Sequence, residues 1–396
     1  MRKIELLAPA GDLERLKVNL LYGADAVYIG GEKYGLRANA TNFSLEEIKE
    51  ACSFAHALSK KVFLTLNMVF HEEDMEGVED YIGQVVDAGI DAFIVSDLFL
   101  ISYITEHYKE VEVHLSTQNS TTNTLAASFY QELGVKRVVL ARELSKDEIS
   151  EIIDQTKMDI EVFIHGAMCT CFSGRCTLSN YVTGRDANRG GCAQVCRFAF
   201  QTEEEVPFTM ATKDLNMAKY IPDLIDIGVC SLKVEGRMRS LYYLATVIGC
   251  YRKLIDLYYE GALTPAKMQD LEQVLERVSN RETSTHYFMK EADDTDQYYT
   301  GRQELSNQDY LGLIVGYDEV HQCLVLRERN YFEVGDKVEI FTPKGERYQR
   351  VLQVIYDEDM NSLDVARHPE QILKIPFCEE VPKYSMMRLL EKACKK

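Results

Sequence analysis

At 396 residues with 46% hydrophobic content, the chain is long enough to bury one large core and a second, smaller one. Its formal charge of −19 excludes a generally basic, nucleic-acid-coating surface, so any RNA contact must come from a local patch. The most apolar run, AFIVSDLFLISYI, is interrupted by Ser96 and Asp97 and is too short to span a membrane, and the opening MRKIELLAPAG lacks a secretory pattern; a soluble, cytoplasmic protein without membrane contact is expected.

Short β-branched runs alternate with amphipathic ones. Strands are predicted at Ile4–Ala8, Ala26–Gly30, Lys61–Leu66, Ala92–Ser96, Val111–Ser116, Arg137–Leu140, Glu161–His165 and Ser231–Glu235, with helical patterns such as LERLKVNLLYG and SLEEIKEACSFAHAL between them. Ser44 followed by Glu47 marks a capping box. Eight such units imply an α/β chain folded as a (β/α)8 TIM-type barrel over 1–262, with a long cysteine-rich insertion at 166–205 after the seventh strand. A helical and acidic linker is expected at 263–310, where KEADDTDQ lies, and a small C-terminal β-barrel of five or six strands at 311–390.

The insertion reads HGAMCTCFSGRC and then NRGGCAQVCR, placing five of the eleven cysteines within 28 residues. In a chain with no secretory pattern these are thiols or metal ligands rather than disulfides. Cys169, Cys176, Cys192 and Cys196 form a C-x6-C-x15-C-x3-C pattern. Soft thiolates on one irregular segment suit an iron–sulfur cluster or zinc; the first spacing is long for a zinc ribbon and leans to a cluster. Ordinary reduced thiols are the plain alternative, and Cys171 is spare.

Alternation puts Lys233 and Glu235 on one face of the eighth strand with Arg237 just beyond, groups His114, Ser116 and Gln118 on the fifth, and aligns His165 with Phe163 on the seventh. His165, Lys233 and Glu235 are therefore candidate catalytic groups, and a buried ion pair or a packing histidine are the competing structural readings. Between His165 and Phe200 lie Arg175, Arg185, Arg189 and Arg197 against Asp186 alone. That local excess suits RNA phosphates, with Tyr181 available to stack on a base, or else caps carbonyls within the loop.

The run EVFIHGAMCTCFSGRCTLSNYVTGRDANRGGCAQVCR, together with LLAPAG, GADAVYIGG and SLKVEGRMRS, resembles the collagenase-like peptidase family of unassigned catalytic type along nearly the whole chain. The resemblance implies a (β/α)8 barrel carrying a [4Fe–4S] cluster, with Cys169, Cys176, Cys192 and Cys196 as ligands and Cys171 or Cys230 as alternatives for the fourth. Val195 stands where the pattern has proline, and Asn216 where some members have cysteine. Family members hydroxylate RNA, including tRNA wobble uridine at C5 with prephenate as co-substrate, so tRNA, a small dicarboxylate and a partner subunit of the same family are the implied partners. Clamping a dicarboxylate calls for cations; Arg37, Arg142, Lys233 and Arg237 are the candidates, with Gln118, Arg175, Arg189 and Arg197 as further substrate contacts. Peptidase activity and a zinc-stapled, non-catalytic scaffold are the alternatives, although neither HExxH nor G-x-S-x-G occurs.

Overall fold

A strand whose successor lies parallel to it needs a crossover, and here each β-branched run is followed by a helix that covers it. The eight strands are β1 (Glu5–Pro9), β2 (Ala26–Gly30), β3 (Lys61–Leu66), β4 (Ala92–Val95), β5 (Glu112–Leu115), β6 (Arg137–Val139), β7 (Asp159–Gly166) and β8 (Ser231–Val234). Each pairs in parallel with the next, and β8 also pairs with β1, which closes the barrel. The computed structural model describes residues 3–36, 42–201, 203, 207–298 and 309–393.

The crossover helices are α1 (Leu13–Leu21), α2 (Leu45–Ala57), α3 (Val78–Asp87), α4 (Leu98–His107), α5 (Thr124–Glu132) and α6 (Lys146–Thr156). Two short ones follow, α7 (Leu178–Thr183) inside the insertion and α8 (Ile221–Asp226) before β8, then the long α9 (Leu241–Tyr259) and α10 (Pro265–Val278). Ser44 caps α2 through the expected reciprocal bonds with Glu47. Strand alternation sorts the core into two layers. Leu6, Ala8, Val27, Ile29, Val62 and Leu64 face the helices, while Leu7, Ala26, Tyr28, Phe63, Ala92 and Ile94 fill the lumen.

The rest of the lumen is ionic. Glu161 of β7, fully buried, accepts from Lys233 Nζ at 2.8 Å and from Arg137 at 2.9 Å, and Arg137 reaches on to Glu5 at 2.6 Å. Each carboxylate oxygen of Glu161 thus meets a cation, which is what makes a buried charge tolerable. Burial works to raise its pKa, but Lys233 and Arg137 override that and hold it at about 2.

Two expectations change at the C-terminal side. Residues 279–298 are docked rather than linking: Thr283–Ser284 pairs with Asp214–Asn216, and Gln297–Tyr298 pairs with Ala211–Thr212. The acidic run folds because its carboxylates have local partners: Asp293 accepts from the Thr295 N–H at 2.9 Å and from Lys290 at 2.6 Å, and Asp296 accepts from the Asp293 N–H at 3.0 Å. Beyond it lies an antiparallel sheet of eight strands. Six are the longer runs Tyr310–Asp318, Cys323–Glu328, Lys337–Phe341, Arg347–Val351, Ile372–Pro376 and Met386–Glu391; Ile355–Tyr356 and Ser362–Leu363 extend it. Among the described residues the two end strands do not pair with each other, so the sheet is a half-barrel around its own core of Leu311, Ile314, Leu326, Phe332 and Leu373.

This sheet is fixed to the barrel's flank: Tyr242 of α9 stacks on Tyr310 with centroids 5.0 Å apart, and the Tyr22 hydroxyl donates to the Tyr384 carbonyl at 2.9 Å. Among the described residues no helix is long and apolar enough to cross a membrane.

Replacing Glu161 by glutamine strands Lys233 and half of Arg137's pairing in the lumen; a loss of roughly 3–5 kcal/mol, read from chemical and thermal unfolding, is expected, with partial recovery in the E161L/K233M double variant. Because the folded pKa of Glu161 lies below its unfolded value, its contribution to stability is complete above about pH 4.5 and disappears as the pH falls towards about 2. The acid limb of the stability profile is accordingly shallower in E161Q than in the parent.

Candidate active site at the barrel mouth

The seventh strand breaks its own alternation. Phe163 lies opposite Lys233 but His165 lies opposite Val234, so β7 carries one extra residue between them, and such a bulge re-aims the side chains beyond it. His165 consequently leaves the lumen for the helix layer, with Nδ1 3.1 Å from the Tyr251 hydroxyl and its ring beside Tyr243, both on α9. Burial, and then the charge of Arg239, pushes its pKa down to about 3, so it is a neutral packing group apart from Lys233 and Glu235.

Past the bulge, β7 pairs antiparallel with Asp214–Asn216, His165 opposite Asn216 and Gly166 opposite Leu215. The insertion is thereby tied off at its base. Its body rests on loops that follow other strands, all at the C-terminal end of the barrel. After β3, the Val69 N–H donates to the Asn188 carbonyl at 2.9 Å, and Arg189 binds the Asp74 carboxylate and the Val69 carbonyl, the latter at 2.8 Å. After β5, Arg175 donates to Ser120 Oγ at 3.1 Å, and Gly174 presses against Gln118. A Cβ at Gly174 would sit 2.2 Å from the Gln118 carbonyl oxygen, and its φ of +73° is itself a glycine conformation. After β6, Glu143 accepts from the Ser173 N–H at 2.9 Å and Arg142 donates to the Ala167 carbonyl at 3.0 Å.

These contacts reassign two expected substrate groups. Arg175 and Arg189 hold the insertion in place, because an acceptor from a distant loop meets each of them. The Arg189 guanidinium lowers the pKa of Asp74, as a committed pair does. Gln118 contributes its backbone as a seat for Gly174, and Arg37 lies outside the described residues.

The thiols of the insertion are neighbours. Cys196 feels the charges of Cys169, Cys192 and Cys176, while Cys171 lies beside Cys176 and also feels Cys169 and Cys196. Burial, then Cys176, pushes Cys171 up to about 12. Cys230 stands apart: it precedes β8, beside Arg137, Asp159 and Glu161 towards the opposite end of the barrel. Among the described residues no three Cys, His, Asp or Glu side chains meet at one metal-binding point. Five thiols nonetheless share one irregular segment, with the positive charge of Arg142 beside Cys169 and that of Arg197 beside Cys196, and thiols near cations are the more readily ionised.

In the lumen, Lys233 is 4% exposed, and its ammonium lies 4.6 Å from the Tyr28 ring centroid and 5.4 Å from that of Phe163. The Arg142 guanidinium is also 5.4 Å from the Phe163 centroid. The Tyr28 hydroxyl is 3.0 Å from Glu235 Oε2 and 3.0 Å from the Val234 carbonyl. Arg237 is buried against Gly30 and Asn42 at the end of β2. Tyr28 and Phe163 thus link Lys233, Glu235 and Arg142, with Arg237 beside the end of β2.

One further group was not apparent from the sequence. Asp214 pairs with Arg239 at 3.0 Å and Arg281 at 2.9 Å, and Arg197 of the insertion lies close enough to be influenced by all three. Burial, then the positive charge of Arg281, lowers the pKa of Arg197. Three guanidiniums, Arg197 from the insertion, Arg239 after β8 and Arg281 after α10, gather about the Asp214 carboxylate beside Cys196.

The family model described as Peptidase family U32 matches residues 11–298, and that for the Peptidase family U32 C-terminal domain matches residues 306–388. The chain is 44% identical over 400 residues to a tRNA hydroxylation protein P1 of Bacillus subtilis, covering 98% of this chain and 95% of that one. A 23S rRNA 5-hydroxycytidine synthase of Escherichia coli is 38% identical over 265 residues, covering 65% of this chain and 40% of that one. A collagenase of Porphyromonas gingivalis is 32% identical, covering 95% of each. The chain, barrel and half-barrel together, belongs to peptidase family U32.

Proposed function

We propose that this protein is an RNA-modifying enzyme that hydroxylates a pyrimidine base, with C5 of the tRNA wobble uridine as its target. The observation that carries the reading is the meeting, at one barrel mouth, of a thiol-rich insertion with the arginine cluster of Arg197, Arg239 and Arg281 about Asp214. Relatives named for hydroxylation of tRNA and for 5-hydroxycytidine in rRNA support it.

Cys169, Cys176, Cys192 and Cys196 would hold a [4Fe–4S] cluster, with Cys171 as the reserve thiol. When bound, such a cluster supplies one-electron chemistry or a Lewis-acidic iron. The chain's own residues do the rest. Arg142 orients Cys169 and covers Phe163, keeping the lumen floor dry. Lys233, fixed by Glu161, presents positive charge to a carboxylate of a dicarboxylate co-substrate such as prephenate, and Arg237 stands beside it at the rim. The Tyr28–Glu235 hydrogen bond gives a proton two places to rest near the reacting base. The guanidiniums about Asp214 take a phosphate next to the target nucleoside, and the exposed ring of Tyr181, 88% accessible, is available for stacking.

The collagenase relative keeps a peptidase reading in view. A cysteine peptidase needs a thiol hydrogen-bonded to an imidazole. Among the described residues no cysteine thiol has such a partner, and His165 faces Tyr251 instead. The barrel mouth therefore favours RNA modification.

Anaerobically purified protein is expected to be brown and to hold near-stoichiometric iron and acid-labile sulfide; alanine at Cys169, Cys176, Cys192 or Cys196 lowers both sharply, while alanine at Cys230 leaves them intact. Zinc without sulfide points to a stapled scaffold instead. Arg197→Ala is expected to raise KM on the order of tenfold with kcat and iron content little changed, the signature of a lost charge-assisted contact. Nucleoside mass spectrometry of tRNA from a deletion strain checks the substrate: unaltered 5-hydroxyuridine derivatives in a strain lacking any paralogue refute the assignment.

A further inference from the structure

Away from the barrel mouth, a crevice of about 370 Å³ lies between α9, α10 and the turn that follows Lys337–Phe341 in the half-barrel. Cavities at such domain junctions are common ligand sites. Its aromatic wall is the Tyr22–Phe341 pair, edge to face with centroids 6.0 Å apart. Thr246, 4% exposed, lines it with a hydroxyl that has no hydrogen-bond partner.

The charges are uneven. Among the cations lining the crevice, Arg252 is committed to Asp25 and Asp256, and Arg388 to Glu339. Lys253, Lys344 and Arg347 also line it, and among the described residues none of the three forms an ion pair; of the two lining carboxylates, Asp256 is taken by Arg252, and Glu260 has no ion pair among the described residues. Lys253 comes from the barrel and the other two from the half-barrel, and the charges of Lys253 and Arg347 both bear on Cys250 in the crevice wall. In a chain of net charge −19, three uncommitted cations on two domains against the single uncommitted carboxylate of Glu260 leave the crevice suited to an anion. Two ammonium groups and a guanidinium offer enough donors for a many-oxygened group such as a phosphate, and the aromatic wall suits a flat ring beside it.

We propose that this crevice binds the phosphate of a nucleotide, supplied by the RNA substrate at a position remote from the reacting base. The RNA source rests on the function proposed above; the phosphate chemistry does not.

The test uses the full chain and the Lys253→Ala/Arg347→Ala variant, both side chains being exposed, with unchanged melting temperature and iron content as the folding control. Two probes are titrated by calorimetry: uridine 5′-monophosphate, and a tRNA transcript over a range of salt. The expected result is a roughly tenfold weaker tRNA complex in the variant, with the log–log salt slope smaller by between one and two. A loss confined to uridine monophosphate supports the phosphate site and moves its source to a free nucleotide. If the parent binds the monophosphate but no tRNA, the RNA reading fails while the crevice stands. Equal affinities of parent and variant for both probes, or no binding of either, overturn the proposal.

Discussion

One buried carboxylate sets the geometry of everything above it. Glu161 sits with no exposed surface inside the barrel, and only the simultaneous approach of Lys233 and Arg137 makes its charge affordable there. Because Glu161 lies on β7 and its partners on β6 and β8, the network ties the register of the last three strands together. The β7 and β8 ends in turn launch the insertion and the loop that carries Arg237 and Arg239. A purely apolar lumen would hold the strands together through burial, without selecting which side chain faces which across the closing seam.

Above this floor the insertion behaves as part of the rim. It is bound to loops after β3, β5 and β6 by side chains whose partners are carbonyls, carboxylates and hydroxyls at fixed positions, and at its base it pairs with β7 through Asp214–Asn216. A segment of such length without regular structure would otherwise be costly to order. Docking spreads that cost over several neighbours and leaves the thiols on the side where Arg142 and Arg197 supply positive charge.

Much of this was legible in the sequence. Ala26–Gly30 and Lys61–Leu66 were read with the bounds they have in the structure, because β-branched runs between helix-capping signals leave little choice. The density of cysteines in the insertion is plain in the sequence, although among the described residues no three of the side chains meet at one point. Four things are not legible there. A single extra residue in β7 leaves no mark in a β-rich run, so alternation puts His165 on the wrong side. Arg189 looks free because its partner, Asp74, lies 115 residues earlier. The cluster at Asp214 joins arginines from three separate segments, and the acidic run near Asp293 reads as a tether although its carboxylates cap their own turn.

β7 outlasts its neighbour: β6 pairs with it only as far as Glu161, which leaves the rest of the strand an edge on that side. Beyond the extra residue the tip of β7 still offers that edge, and Asp214–Asn216 accepts it. The barrel thus gains an attachment point without opening its wall, so the ornament on its rim can be enlarged, trimmed or re-equipped while the eight staves below stay as they are.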